Sequence, residues 1–325
     1  MITDTKVRIL GYIKTNGQAR VKDLAEHLGI GKVALHRQLK SLVESGKLAK
    51  SGSAPKVFYT QASNSTNETK ETNVLLDKYF AYVDPTGQFV TGISGFRTWL
   101  ANVSKSDQEN SLLSRYTKDR ESANSLFSPL GWIDATSNIT ATFGSDMNLD
   151  GVYYCDFYSL PTFGKTRLGC LMLYSKQSEN RELIDQTAEE SKEIVNKLIK
   201  TLNIDAVGYL PHSILRKVQF LKEFAKKLNL SLPVIDISKA YPGKIRVAQK
   251  TLGKLEERVR NARETIFVDK INSKFNNILL IDDAVGSAST LNETAKKIKH
   301  VGIAQKVYGF AVVGSLKGFE VIREV

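Results

Sequence analysis

Cysteine, proline, methionine, tryptophan and histidine are all sparse in this 325-residue chain, at 2, 7, 3, 2 and 4 residues. Two cysteines, Cys155 and Cys170, cannot build a disulfide framework, and they lack the close spacing of a metal or redox pair. They read as small buried residues of a chain kept in a reducing compartment. No apolar run approaches the ~18 residues of a membrane span. The opening MITDTKVRIL has neither the basic head nor the apolar core of a secretory leader. The expectation is a cytoplasmic protein with no membrane partner. Acidic residues are the other deficit, with 34 Asp and Glu against 46 Lys and Arg, a formal charge of +12. That balance points to a polyanion as partner, nucleic acid first. The length sets a prior of two or three domains.

The basic excess is concentrated. Residues 1–60 hold 11 Lys and Arg against 4 Asp and Glu, so +7 of the +12 lies there. Val7, Ile9, Leu10 and Ile13 read as one helical face, and Val21, Leu24, Ala25 and Leu28 as a second. A third helix is predicted from Val33 to Ser45, with Val33, Leu35, Leu39, Leu42 and Val43 inward. The hairpin LAKSGSAPKVFY follows, its tip at Gly52 to Pro55. Three helices and a hairpin in this space resemble a winged helix-turn-helix domain, whose third helix enters the major groove. Lys32, His36, Arg37 and Lys40 fall on the polar side of that helix, and Lys50 and Lys56 flank the wing. These six are the candidate nucleic-acid contacts, DNA in the first place. Lys and Arg hold phosphates, and Arg37 also has the donor geometry to read guanine. A homodimer would suit paired half-sites. Use of the domain for protein contacts alone is the other reading.

Residues 61–74 are rich in Ser, Thr and Asn and read as a flexible linker. Residues 75–150 contain enough apolar material for a core, including Phe80, Phe96, Trp99 and Trp132, but no recognisable chemistry. Two partial motifs carry nothing. PTFGKT, Pro161 to Thr166, ends like a nucleotide-binding loop, but Ser159 stands where its first Gly belongs. Asp146, Asn148 and Asp150 begin like a calcium loop that Phe157, in place of a glutamate, fails to close.

The most informative stretch is ILLIDDAVGSASTL, Ile278 to Leu291. Ile278 to Ile281 reads as a strand buried on both faces. Asp282 and Asp283 stand at its end, and the small residues Gly286, Ser287, Ala288, Ser289 and Thr290 lead into an amphipathic helix. Small residues let backbone N–H groups approach a phosphate, and the helix N-terminus adds partial positive charge. Paired carboxylates can hold ribose hydroxyls, directly or through Mg²⁺. Together these read as a sugar-phosphate site. Elsewhere, Val152 to Gln177 reads as two strands around Leu160-Pro161, and Arg181 to Leu202 as a long amphipathic helix. Asp205 to Leu210 reads as a strand, followed by Pro211-His212-Ser213 and a helix from Ile214 to Leu228. Strands are also predicted at Leu232 to Ile237 and Val307 to Val313.

The Ile278 to Leu291 pattern resembles the phosphoribosyl pyrophosphate motif of type I phosphoribosyltransferases, with Ala288 where that family usually has Gly. The segment QKTLGKLEERVRNARETIFV, with Gln249, Leu252, Glu257, Arg258, Arg260 and Asn261, resembles the ComF-like branch. The likeness extends over roughly residues 151–325. It implies an α/β fold, a type I phosphoribosyltransferase-like parallel sheet with helices on both faces, preceded by the small winged helix. It further implies that Asp282 and Asp283 orient the ribose, with Mg²⁺ held indirectly, and that Val285 to Thr290 hold the 5′-phosphate. Pro211, His212 and Ser213 would then contact pyrophosphate, and Arg258 and Lys254 of a closing loop would stabilise the departing pyrophosphate. Two functions stay open. One is a DNA-binding regulator that senses phosphoribosyl pyrophosphate or a nucleotide, an arrangement that some purine-regulating repressors resemble. The other is an active Mg²⁺-dependent phosphoribosyltransferase. A third reading is a defence effector partnered with a retron reverse transcriptase and its noncoding RNA, since similar fusions occur beside such enzymes.

Overall fold

A computed structural model describes residues 5–45, 47–52, 56–61, 74–269 and 273–316. The chain divides into two compact units, Met1–Glu71 and Thr72–Val325. Most of the segment read as a linker, 62–73, and most of the wing tip, 53–55, lie outside the described residues.

The first unit contains three helices, α1 (Thr5–Asn16), α2 (Val21–Leu28) and α3 (Lys32–Glu44). Three short strands accompany them: β1 (Gln18–Ala19), β2 (Leu48–Ser51) and β3 (Phe58–Gln61), ordered β1-β3-β2. All pairs are antiparallel, so a third strand joins the expected hairpin. Gly29, at φ 65°, ends α2 in the left-handed conformation, and its N–H returns to the Ala25 carbonyl. That cap permits the tight turn into α3. Ile9, Ile13, Leu24, Leu28, Leu35, Leu39, Leu42, Leu48 and Tyr59 form the core. Val33 is not inward as expected but 80% exposed, and Val7 is 58% exposed. Each stands two residues before a core side chain, Leu35 or Ile9, which is more than half a turn around a helix.

The second unit is built on a six-stranded sheet. Its strands are β6 (Ile133–Asp134), β7 (Gly151–Phe157), β10 (Ala206–Tyr209), β11 (Val234–Ile235), β14 (Phe275–Val285) and β15 (Ala304–Gly314). The order is β11-β10-β14-β15-β7-β6. Five strands run parallel, and the edge strand β6 pairs antiparallel with β7, so the sheet is mixed rather than purely parallel. Alternate side chains of β14 enter two different cores. Ile278 and Leu280 join one, Leu279 and Ile281 the other. Burial on both faces is why this strand carries an unbroken apolar run.

Helices cover both faces. Leu291, Ala295 and Ile298 of α12 (Ser289–His300) and Ala262 of α11 (Leu255–Thr265) pack into the first core. Ile184, Ala188, Val195 and Leu198 of α9 (Arg181–Thr201) pack into the second. Phe220 and Phe224 of α10 (Phe220–Leu228) join them there.

Residues 74–150 belong to this same unit. They form α4 (Val74–Tyr79), β4 (Ala81–Val83), β5 (Phe89–Thr91), α5 (Gly92–Asn102), α6 (Glu109–Asn124), β6 and α7 (Thr136–Phe143). Phe80, Phe96 and Tyr116 extend the first core and meet Phe163 in a cluster of ring contacts.

The structure differs from the sequence expectation in three further places. Only β7 and two short strands, β8 (Ser159–Leu160) and β9 (Gly164–Lys165), precede a helix, α8 (Arg167–Gln177), where a strand was predicted. Residues 214–219 are not helical, because α10 starts only at Phe220. The strand expected at Leu232 to Ile237 is split into β11 and β12 (Ile237–Lys239), and β12 leaves the main sheet to pair with β13 (Ile266–Val268). The partial motifs serve the fold. Thr166 caps α8 by accepting from the Gly169 N–H at 3.1 Å, and Asp150 accepts from Lys299 at 2.7 Å.

Candidate functional site

Pairing of Tyr209 with Ile281 brings the C-terminal ends of β10 and β14 level. The loops that follow therefore open at one edge of the sheet, where parallel α/β folds bind ligands. A cavity of about 620 Å³ lies there. Asp282, Asp283 and the run Val285, Gly286, Ser287, Ala288, Ser289 and Thr290 line it. Pro211, His212 and Ser213 line it from the loop after β10, and Arg258 lines it from α11. These segments are far apart in sequence. Lys254 stands exposed at the N-cap of α11 and is not among the lining residues.

The acidic pair is the electrostatic centre. The Asp283 N–H donates to Asp282 Oδ1 at 2.8 Å. Lys176 Nζ, at the end of α8, donates to Asp283 Oδ2 at 2.6 Å. Burial, then the neighbouring Asp283 charge, pushes the Asp282 carboxyl up to about 7. Both causes disfavour its anion. On the other side Lys239 Nζ donates to Ser213 Oγ at 2.9 Å. Burial brings the Lys239 ammonium down to about 8, opposed by the Asp282 charge. The His212 imidazole is lowered by burial and by the Arg246 cation. A neutral His212 has one ring N–H to donate.

The loop after β14 is shaped for an anion. Ala288 sits at φ 57°, ψ 13°, left-handed, as the N-cap of α12. Its carbonyl accepts from the Asn292 N–H at 2.8 Å, closing the first turn of the helix. The first-turn N–H groups have no partner within the helix, and the macrodipole adds partial positive charge. Ser287 Oγ and Ser289 Oγ lie 2.9 Å apart beside them. Arg258, which also lines the cavity, donates from Nε to the Leu252 carbonyl at 2.9 Å, which fixes a side chain that is only 6% exposed as a residue.

Asp283 is shared with Lys176, and no cluster of three or more His, Cys, Asp or Glu side chains that could hold a metal occurs among the described residues, so the chain offers Asp282 and Asp283 as adjacent acidic donors at this cavity. A Mg²⁺ carried on a diphosphate arrives as part of the ligand with its own oxygen donors.

In the first unit Lys32, His36, Arg37, Lys40, Lys50 and Lys56 are all exposed. Lys40 shares an open ion pair with Glu44 at 3.8 Å. Four of the six lie on α3. This is an exposed basic face on α3.

Sequence reasoning missed Lys176 and Lys239. Lys176 lay in a segment expected to be a strand, and Lys239 lay just beyond one. Neither carried a motif. Among the described residues no helix is long and apolar enough to cross a membrane.

Residues 2–55 match the model of the MarR family. No curated protein matches the chain. Among solved structures, an adenine phosphoribosyltransferase is 16% identical, covering 45% of this chain and 78% of its own, at a TM-score of 0.27. A hypoxanthine phosphoribosyltransferase from Staphylococcus aureus is also 16% identical, covering 43% and 67%, at 0.25. An adenine phosphoribosyltransferase from Trypanosoma brucei, in complex with AMP, pyrophosphate and ribose-5-phosphate, is 12% identical, covering 52% and 85%, at 0.29. These scores are too low to bear on what the cavity binds.

Proposed function

We propose that the protein is a nucleic-acid-binding regulator whose second unit binds phosphoribosyl pyrophosphate or a nucleotide. The observation that most supports the reading is the convergence of Asp282, Asp283, the 285–290 loop and the 211–213 loop on one cavity. In this reading the 5′-phosphate sits on the N–H groups at the start of α12. Ribose hydroxyls donate to Asp282 and Asp283. The diphosphate, with its Mg²⁺, lies toward Ser213, Lys239 and Arg258. The first unit contacts DNA through α3, with Lys32, Arg37 and Lys40 on phosphates and base edges.

One feature favours binding over turnover: Ala288 places a Cβ in the phosphate loop where the resembling enzymes carry glycine.

The test is calorimetric titration of phosphoribosyl pyrophosphate with Mg²⁺ into the full chain and into an Asp282→Asn/Asp283→Asn variant, followed by DNA binding with and without ligand. Heat that the variant loses, together with a ligand-dependent DNA affinity, is the expected result. A wild-type chain that binds no ligand overturns the reading, and steady pyrophosphate release would reassign it as an enzyme.

A further inference from the structure

Val33 stands on the polar side of α3, among the cations rather than in the core. Val33, His36, Arg37 and Lys40 follow the i, i+3, i+4, i+7 spacing of one helical stripe, and all four are exposed. Leu35, Leu39 and Leu42 are the residues that α3 buries. Val33 is 80% exposed, its neighbour Ala34 is exposed too, and Gly31 at the N-cap has no side chain to cover either. A single exposed valine is ordinary in itself. This one occupies the second position of α3, at the end of a stripe whose other members are Arg, Lys and His. Neither core packing nor helix propensity accounts for it, since a β-branched residue is a poorer helix former than lysine or glutamine.

Resting on the reading above that α3 contacts DNA, we propose that Val33 is a specificity-determining residue that packs on the C5-methyl group of a thymine in the major groove. The N-terminal residues of a recognition helix are the ones that meet base edges. The base edges there present hydrogen-bond donors and acceptors, and the apolar group that marks one base is the thymine methyl. A valine offers no hydrogen bond, so that methyl is the feature it can read. Arg37 lies one turn further along the same stripe, roughly 6 Å up the helix axis. For a helix lying along the groove this spans about two base steps of about 3.4 Å. The preferred duplex therefore carries a thymine within about two base pairs of the base that Arg37 meets. The lysines of the face supply affinity for any duplex, and Val33 supplies discrimination between them.

The test starts with duplexes that the full-length chain selects from a random-sequence pool. Each thymine of the selected site is replaced in turn by deoxyuridine, which lacks only the methyl group, and affinities are measured by fluorescence anisotropy for the wild type, Val33→Ser and Val33→Thr. One replacement should weaken wild-type binding by about fourfold, as for one methyl group returned to water. The same replacement should have almost no effect on Val33→Ser, and an intermediate one on Val33→Thr, which keeps a methyl. The wild-type ratio between the two duplexes should hold across a salt series, because a methyl contact releases no counterions. Deoxyuridine replacements that are all silent in the wild type, or an effect that persists undiminished in Val33→Ser, would overturn the inference and leave DNA binding through α3 standing. Binding to duplex DNA with no sequence preference would do the same. A chain that binds no duplex DNA overturns the reading of α3, and the inference with it.

Discussion

Arg120 Nη1 donates to both oxygens of Asp156, at 2.8 and 3.2 Å, and neither residue is more than 3% exposed. The guanidinium also lies over the Tyr79 ring at 3.7 Å, and its Nε donates to Asn124 Oδ1 at 2.7 Å. The pair bolts α6 to β7, and so fixes residues 74–150 to the sheet. Burial still drives the Asp156 carboxyl upward against the Arg120 charge.

Removing one partner of such a pair leaves the other charge buried alone. Arg120→Met should therefore destabilise the second unit by about 3–5 kcal/mol. Arg120→Met with Asp156→Leu should cost much less than the single change. Urea unfolding of the four members of the cycle checks both, and a near-zero effect of the single change would remove the pair from the stability of the unit.

That pair marks where the sequence stops being legible. Arg120 sits in a polar helix with almost no amphipathic signal, and its partner lies 36 positions away, so nothing local announces it. β14 was the opposite case. Ile278 to Ile281 are buried on both faces, and their apolar run, the following acids and the small-residue loop all survive as local pattern. The Leu168 to Tyr174 segment misled because α8 is buried on most sides, with Gly169 to Leu173 all inside. A helix buried all round shows no 3.6-residue period and reads like a core strand. The candidate site was legible where one strand and its loop carried it. It was opaque where α8 and β12 brought lysines in from elsewhere.

Asp282 ties the site to pH. Its carboxyl rises from 3.8 to about 7 in the fold. A raised acid contributes stability that is fully present below the unfolded value and is lost as pH rises through the folded one. The wild type should lose stability between about pH 4 and pH 7 from this group. Asp282→Asn keeps the shape without the anion, so its melting temperature should exceed the wild type's at pH 8 and match it near pH 4. Ligand binding should fall in the same variant. Parallel pH dependences of melting temperature for the two proteins would contradict a raised Asp282 carboxyl.

Ala288 ties backbone conformation to packing. A non-glycine residue in the left-handed region costs roughly 1–2 kcal/mol, and glycine adds roughly 0.5–1 kcal/mol of chain entropy. Ala288 is 6% exposed and its methyl packs in the first core, so the loss of that methyl, about 0.8 kcal/mol, offsets the conformational gain, and Ala288→Gly should change stability by less than about 1 kcal/mol. It should also tighten binding of a phosphate-bearing ligand, because the loop loses the Cβ beside its N–H groups. Ala288→Val, branched at a positive φ, should destabilise. Thermal unfolding and calorimetry of the two variants check this, and a Gly variant that binds a phosphate-bearing ligand more weakly would overturn it.

The first unit should bind DNA through charge, and the number of contacts can be counted. Each phosphate neutralised contributes about 0.9 to the slope of log affinity against log salt. Lys32→Ala with Lys40→Ala should therefore flatten the slope by about 2, if each lysine holds one phosphate. The loss should be similar for every sequence, because phosphates carry no base information. Arg37→Ala should behave differently if it reads a guanine edge. It would cost about 1–3 kcal/mol on the preferred site and far less on random DNA. Fluorescence anisotropy on both DNAs across a salt series separates the two roles. Core packing is untouched by all three changes, since Leu35, Leu39 and Leu42 form the opposite face of α3. An unchanged slope in the double variant, with its fold intact, would move the nucleic-acid surface away from α3.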